Sequence, residues 1–219
     1  MRPVMKISIA LPLLIAGLLA LAGCETVSKE QCVAGDWSEL GKADGAQGHL
    51  TKRFEDVVKD CGRYGITPDA DAYMAGWHQG VRLYCTPQNG FSLGRQGKEL
   101  SPVCPAQTAA LFRQSHDLGR RIWKAEDRLR DTERRISSAE SRLRETRTKL
   151  DGLNCRDVER DQREACRDRR ETLRQRMDDA RFELQDARFE LNDRRRAYDM
   201  AVSSVNAEAS RVIPGYRGE

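Results

Sequence analysis

The sequence predicts a mainly α protein: a small disulfide-stapled, glycine-rich helical domain followed by a long antiparallel coiled-coil hairpin. Three observations carry that reading. Between Pro105 and Pro214 there is no proline, and Leu111 to Met200 holds 25 bases and 21 acids among 90 residues, a density that only amphipathic helices with a narrow apolar seam tolerate. Apolar residues recur in that stretch every seven positions. Upstream, glycines recur at spacings of four and three among regularly placed cysteines. The overall 33% charged and 6% aromatic content of the 219 residues excludes one large apolar core. The near balance of 38 bases and 34 acids excludes a wholly disordered chain.

The first element is an address. Arg2 and Lys6 precede an uncharged apolar run from Ile7 to Ala22, the pattern of a secretory signal peptide spanning residues 1–23. The run ends in Leu21-Ala22-Gly23-Cys24, which resembles the bacterial lipobox at all four positions. That resemblance implies cleavage before Cys24, a diacylglycerol thioether on its sulfur and an acyl chain on its amine. Several acyl chains exceed what stable anchoring requires, so Cys24 is the expected lipid-attachment site. Glu25 in place of an aspartate leans towards the outer membrane, periplasmic side, over the inner membrane. Removing residues 1–23 takes away Arg2 and Lys6, and the formal charge falls from +4 to +2. A nucleic-acid partner is not expected from that balance.

With Cys24 acylated, six cysteines remain: Cys32, Cys61, Cys85, Cys104, Cys155 and Cys166. An even number in an oxidising compartment reads as three disulfides. A metal centre is not expected, because no C-x-x-C occurs and His49, His78 and His116 are scattered without ligand spacing.

Residues 24–107 form the expected small domain. Gly41, Gly45 and Gly48 are spaced four and three; so are Gly90, Gly94 and Gly97; Gly76 and Gly80 are spaced four. At helical period each set is a bare stripe that lets another backbone approach. Helices are expected from about Asp36 to Gly45, from about Leu50 to Cys61, and from Thr67, capped by its side chain with Pro68 at the first helical position, to about Tyr84. Cys85 to Gly90 reads as a loop from its Pro and Asn-Gly content. Cys32 then lies just before the first helix and Cys61 at the end of a second, antiparallel one, which predicts Cys32–Cys61 and Cys85–Cys104. Trp37, Tyr73, Trp77 and Tyr84 fall at helical spacing and read as core, although a sugar-binding aromatic face is the competing reading. Asp36, Asp44, His78 and Tyr84 cannot be assembled into nucleophile, base and orienting group, so neither catalysis nor a cofactor is expected.

The run Asp36-Trp37, Gly41-x-x-Asp44-Gly45-x-x-Gly48, Cys61, Gly65, Asp69, Tyr73-x-x-Gly76-Trp77-x-x-Gly80, Tyr84-Cys85-Thr86-Pro87-x-x-Gly90, Gly94-x-x-Gly97 and Cys104-Pro105 resembles the bacterial lipoprotein family known as Domain of Unknown Function 2799. The resemblance covers about residues 32–105 and departs from the family pattern at Lys98-Glu99-Leu100. It implies export and frequent lipidation, with no assigned activity.

Residues 108–208 form the expected hairpin, with 209–219 a flexible tail. Ile122, Leu129, Ile136, Leu143 and Leu150 occupy one seam position; Leu118, Ala125, Thr132, Ala139, Thr146 and Leu153 occupy the other. Met177, Leu184, Leu191, Tyr198 and Val205, with Leu173, Ala180, Ala187, Arg194 and Ala201, repeat the scheme. Heptads sustained this long predict a coiled coil, and Gly152-Leu153-Asn154 supplies the turn. Cys155 and Cys166 should bond locally at the tip, with unwinding from Arg156 to Arg163. The tandem heptads Ala180-Asp186 and Ala187-Asp193 set Phe182 and Phe189 on an outward line, which predicts docking on the N-terminal domain, on a second copy or on a partner. The expected role is therefore a membrane-anchored structural or interaction lipoprotein. A glycan- or ligand-binding module with the hairpin as spacer is the alternative.

Overall fold

The computed structural model describes residues 26–218. The signal peptide expected over residues 1–23 and the lipid-attachment site expected at Cys24 lie outside the described residues. Seven α-helices form, with no strand among the described residues. The chain divides into two compact units, the first ending at Val81 and the second beginning at Arg82. The boundary expected near residue 107 thus moves upstream, because the segment carrying Cys85 and Cys104 packs on the base of the hairpin.

In the first unit α1 (Lys29–Ala34), α2 (Trp37–Ala46), α3 (Arg53–Gly62) and most of α4 (Ala70–Tyr84) surround a small core. Sequence periodicity misses α1, which has six residues. It forms because Ser28 and Gln31 build a capping box and Gly35 closes it at φ 68°. Cys32, inside this helix, is bonded to Cys61 near the end of α3. The start expected for α4 at Thr67 is corrected: Asp69 Oδ1 accepts from Ala72 N at 3.0 Å, so the aspartate is the cap and Pro68 stays outside the helix. A carboxylate at a helix N-terminus also meets the helix dipole, which a threonine hydroxyl does not.

In the second unit the loop expected over Cys85–Gly90 is also corrected. α5 (Pro87–Arg95) begins there, with the Thr86 side chain accepting from Asn89 N and Pro87 at the first helical position. The Thr-Pro start expected at Thr67 operates at Thr86 instead. Cys85 is bonded to Cys104. Then come α6 (Ala106–Asp151) and α7 (Arg163–Val212), of 46 and 50 residues, each about 70 Å long at 1.5 Å per residue. Between them lies a connection of turns with one 3-10 turn at Arg160–Gln162, closed by Cys155–Cys166. Arg170, at a seam position beside this connection, turns its guanidinium to Leu153 O at 3.4 Å.

The two long helices run antiparallel, with ion pairs between them along the seam. Arg121 meets Glu208 at 2.6 Å, Arg135 meets Glu190 at 2.7 Å and Asp186 at 3.0 Å, Arg188 meets Glu140 at 2.7 Å, and Arg142 meets Glu183. Exposed pairs add little stability, and because the tandem heptads of α7 repeat their charges, a one-heptad slip would still set Arg135 against Glu183 and Glu140 against Arg181. The seam is lopsided. Thr132, Ala139, Thr146, Ala180 and Ala187 are buried, whereas Leu129, Ile136, Leu143, Leu184 and Leu191 are only half-buried. Small side chains let the helices approach on their own side and leave the larger ones at the rim.

The tail expected at 209–219 is corrected too. Phe91 of α5, Leu118 and Ile122 of α6 and Val205, Ala209 and Ile213 share one apolar cluster at the base of the hairpin. Tyr216 packs edge-on against Phe91, and Gln88 Nε2 donates to Pro214 O at 2.7 Å.

Two parts of the chain have the same local architecture. In the first, a Cβ on Gly41, Gly45 or Gly80 would stand 2.0–2.3 Å from the carbonyl oxygens of Tyr73, Trp77 and Lys42. In the second, a Cβ on Gly90, Gly94 or Gly119 would stand 2.1–2.5 Å from those of Phe112, His116 and Phe91. Both first helices end at a positive-φ glycine, Gly48 at 76° and Gly97 at 70°. The residue after each offers its carbonyl to the facing helix: Trp77 Nε1 donates to His49 O and His116 Nε2 to Lys98 O, both at 2.8 Å. The helix pair α2–α4 and the pair formed by α5 and the start of α6 are therefore two copies of one glycine-faced motif.

Candidate functional site

The residues with chemical potential fall into three places. The first is the core acid of α2. Asp44 is 3% exposed; its Oδ1 accepts from Arg53 Nε and its Oδ2 from Tyr73 OH, both at 2.7 Å. Burial, then the hydrogen bond to Asp44 and its charge, push the Tyr73 phenol well above the ordinary tyrosine range, so it remains the donor. Phe54 lies against the Tyr73 ring at 4.8 Å. Both carboxylate oxygens are thus engaged in holding α2, α3 and α4 together, a cross-brace geometry. Trp37, Tyr73, Trp77 and Tyr84 are all buried. Tyr84 OH accepts from Ser101 N at 3.0 Å. None of these four rings offers a free face for stacking on a sugar. Asp36 and His78 are exposed, and His116 is buried.

The second place is the outward line of α7. Phe182 and Phe189 are 74% and 83% exposed, at the heptad position opposite the seam. Their neighbours three and four residues away on the helix are Asp178, Asp179, Gln185, Asp186, Asn192 and Asp193, with no base among them. The result is an apolar pair in an acidic border. Two large rings in water at this density are unusual for a coiled-coil surface.

The third place is the start of the described chain. Thr26 N donates to Asp60 Oδ2 at 2.7 Å. Val27 is 2% exposed, and Cys32, bonded to Cys61, follows five residues later. The sequence does not signal this contact, since it joins residues 34 apart in the chain through a single side chain.

Among the described residues no group of three or more His, Cys, Asp and Glu side chains is placed to hold a metal ion, and no helix is long and apolar enough to cross a membrane. The fold and these surfaces define a disulfide-stapled helical protein built from a repeated glycine-faced helix pair and an antiparallel coiled-coil hairpin. Residues 36–121 match the family model described as "Protein of unknown function (DUF2799)", so this segment is similar to that family. The match extends past Pro105 into α6 as far as Arg121 and so includes Gly119, which completes the second glycine-faced pair. The remainder of the hairpin lies outside it. No curated protein and no solved structure matches the chain.

Proposed function

We propose that the chain is an envelope lipoprotein without catalytic activity, held on the membrane by acylated Cys24, whose hairpin engages a protein partner through the outward face of α7. The placement proposed is the periplasmic side of the outer membrane, following Glu25. The observation that carries the interaction role is the exposed pair Phe182 and Phe189 in its acidic border. A symmetric pairing of two α7 faces would oppose aspartates to aspartates, so a partner with basic and apolar side chains fits better than a second copy. Buried aromatics at Trp37, Tyr73, Trp77 and Tyr84 favour this reading over a glycan-binding module.

Two measurements test it. Cys24→Ser is expected to move the protein from the membrane to the soluble fraction; retention at the membrane would defeat the anchor. A photo-crosslinking residue at 182 or 189 should give an adduct in living cells that a residue at Ser141, on α6, does not. Adducts of equal yield at all three positions would remove the site, and adducts with the mass of two copies would replace the partner by self-association.

A further inference from the structure

We infer that the face of the first unit formed by α1 and the end of α3 rests in the headgroup layer of the membrane, with Asp60 fixing that orientation. The inference deepens the lipoprotein reading and rests on it. Glu25 alone separates Cys24 from Thr26. Two Cα–Cα steps reach at most about 7 Å, so the acylated cysteine cannot stand farther than that from a backbone nitrogen held by Asp60 at 2.7 Å. The position of the anchor is therefore set by the fold, whatever the conformation of Glu25. No tether of useful length lies between lipid and domain.

The composition of the surface around that point agrees independently. Val33, Val58 and Tyr64 are 66%, 41% and 36% exposed, and each lies within three residues of Cys32 or Cys61, the disulfide that ties α1 to α3. Lys29 sets its ammonium 5.6 Å from the centroid of the Tyr64 ring. Apolar side chains, a tyrosine and a lysine able to extend along it are the composition that settles at a membrane interface. Asp60 is 5% exposed and also meets Arg63 at 3.4 Å. It is a positioning residue that holds the first ordered backbone group beside this patch.

The test uses the full-length lipidated protein in vesicles of phosphatidylethanolamine and phosphatidylglycerol, with an amine-reactive, membrane-impermeant label read by mass spectrometry. The Cys24→Ser protein in solution is the reference. Labelling of Lys29 should fall severalfold in the vesicles. A flexible Gly-Ser insertion of about ten residues between Glu25 and Thr26, spanning roughly 18 Å, should return Lys29 to the reference value. The same digest reports the acyl mass on the N-terminal peptide. An acylated, vesicle-bound protein whose Lys29 labels as in solution overturns the orientation and leaves the anchor standing. An N-terminal peptide without acyl mass overturns the anchor and the orientation with it.

Discussion

Gly76→Ala is expected to destabilise the first unit by about 3 kcal/mol, because the added methyl has nowhere to go. A Cβ at Gly76 would stand 1.9 Å from Ser38 O and 2.7 Å from Ser38 C. The obstacle is backbone, so no rotamer change relieves it, and α2 must move away from α4. That movement would stretch the brace between Asp44 and Tyr73 and the bond from Trp77 Nε1 to His49 O. Gly62→Ala, in α3, is the matched comparison: nothing lies within 4 Å of its Cβ position. There the same change should stabilise by about 0.5–1 kcal/mol, through lower backbone entropy in the unfolded chain. Hydrogen exchange of α2 and α4 under oxidising conditions reads both. Equal protection in the two variants would show that the glycine stripe is not a close contact.

The glycine spacing and the heptads were legible because each is a periodic signal repeated several times over. What escaped was single or compensated. The Thr-Pro pair at Thr67 looks the same as the one at Thr86, yet Asp69 wins the first cap and Thr86 keeps the second. Ile213 and Tyr216 continue the three- and four-residue spacing of Val205 and Ala209, but Pro214 and Gly215 beside them read as the end of the helix, which hid their packing on the hairpin base. The heptads showed both seam positions but not which one would be deeper. That outcome depends on how closely alanine and threonine allow two helices to approach. The duplication was hidden for a different reason. Ser115 stands where the first copy has Gly76, its hydroxyl buried without a partner, and the connection between helices is α3 in one copy and a disulfide-closed loop in the other. At the candidate site, the phenylalanine line could be read from the tandem heptads, whereas the contact of Asp60 with Thr26 required the fold.

The second copy supplies the design of the sharpest test of the core acid. Leu93 holds the place of Asp44, and Phe112 that of Tyr73, so the polar pair of one copy is an apolar pair in the other. Asp44→Leu alone leaves the Tyr73 hydroxyl, on a ring that is 0% exposed, without an acceptor, at a cost of about 1–3 kcal/mol. Tyr73→Phe alone takes one of two donors from a buried carboxylate and should cost about 1.5–3 kcal/mol. Arg53 is the asymmetric partner: its side chain is 31% exposed and can turn to water when Asp44 is lost. The double variant should therefore be destabilised less than the sum of the singles by about 1.5 kcal/mol, since neither unsatisfied group remains. Denaturation midpoints of the four proteins give this coupling directly. Additivity within about 0.5 kcal/mol would mean that the hydroxyl and carboxylate do not depend on each other. A coupling of the expected size, with the double variant still folded, would show that the glycine-faced motif tolerates either filling, and that Asp44 and Tyr73 are kept in the first copy as a pair.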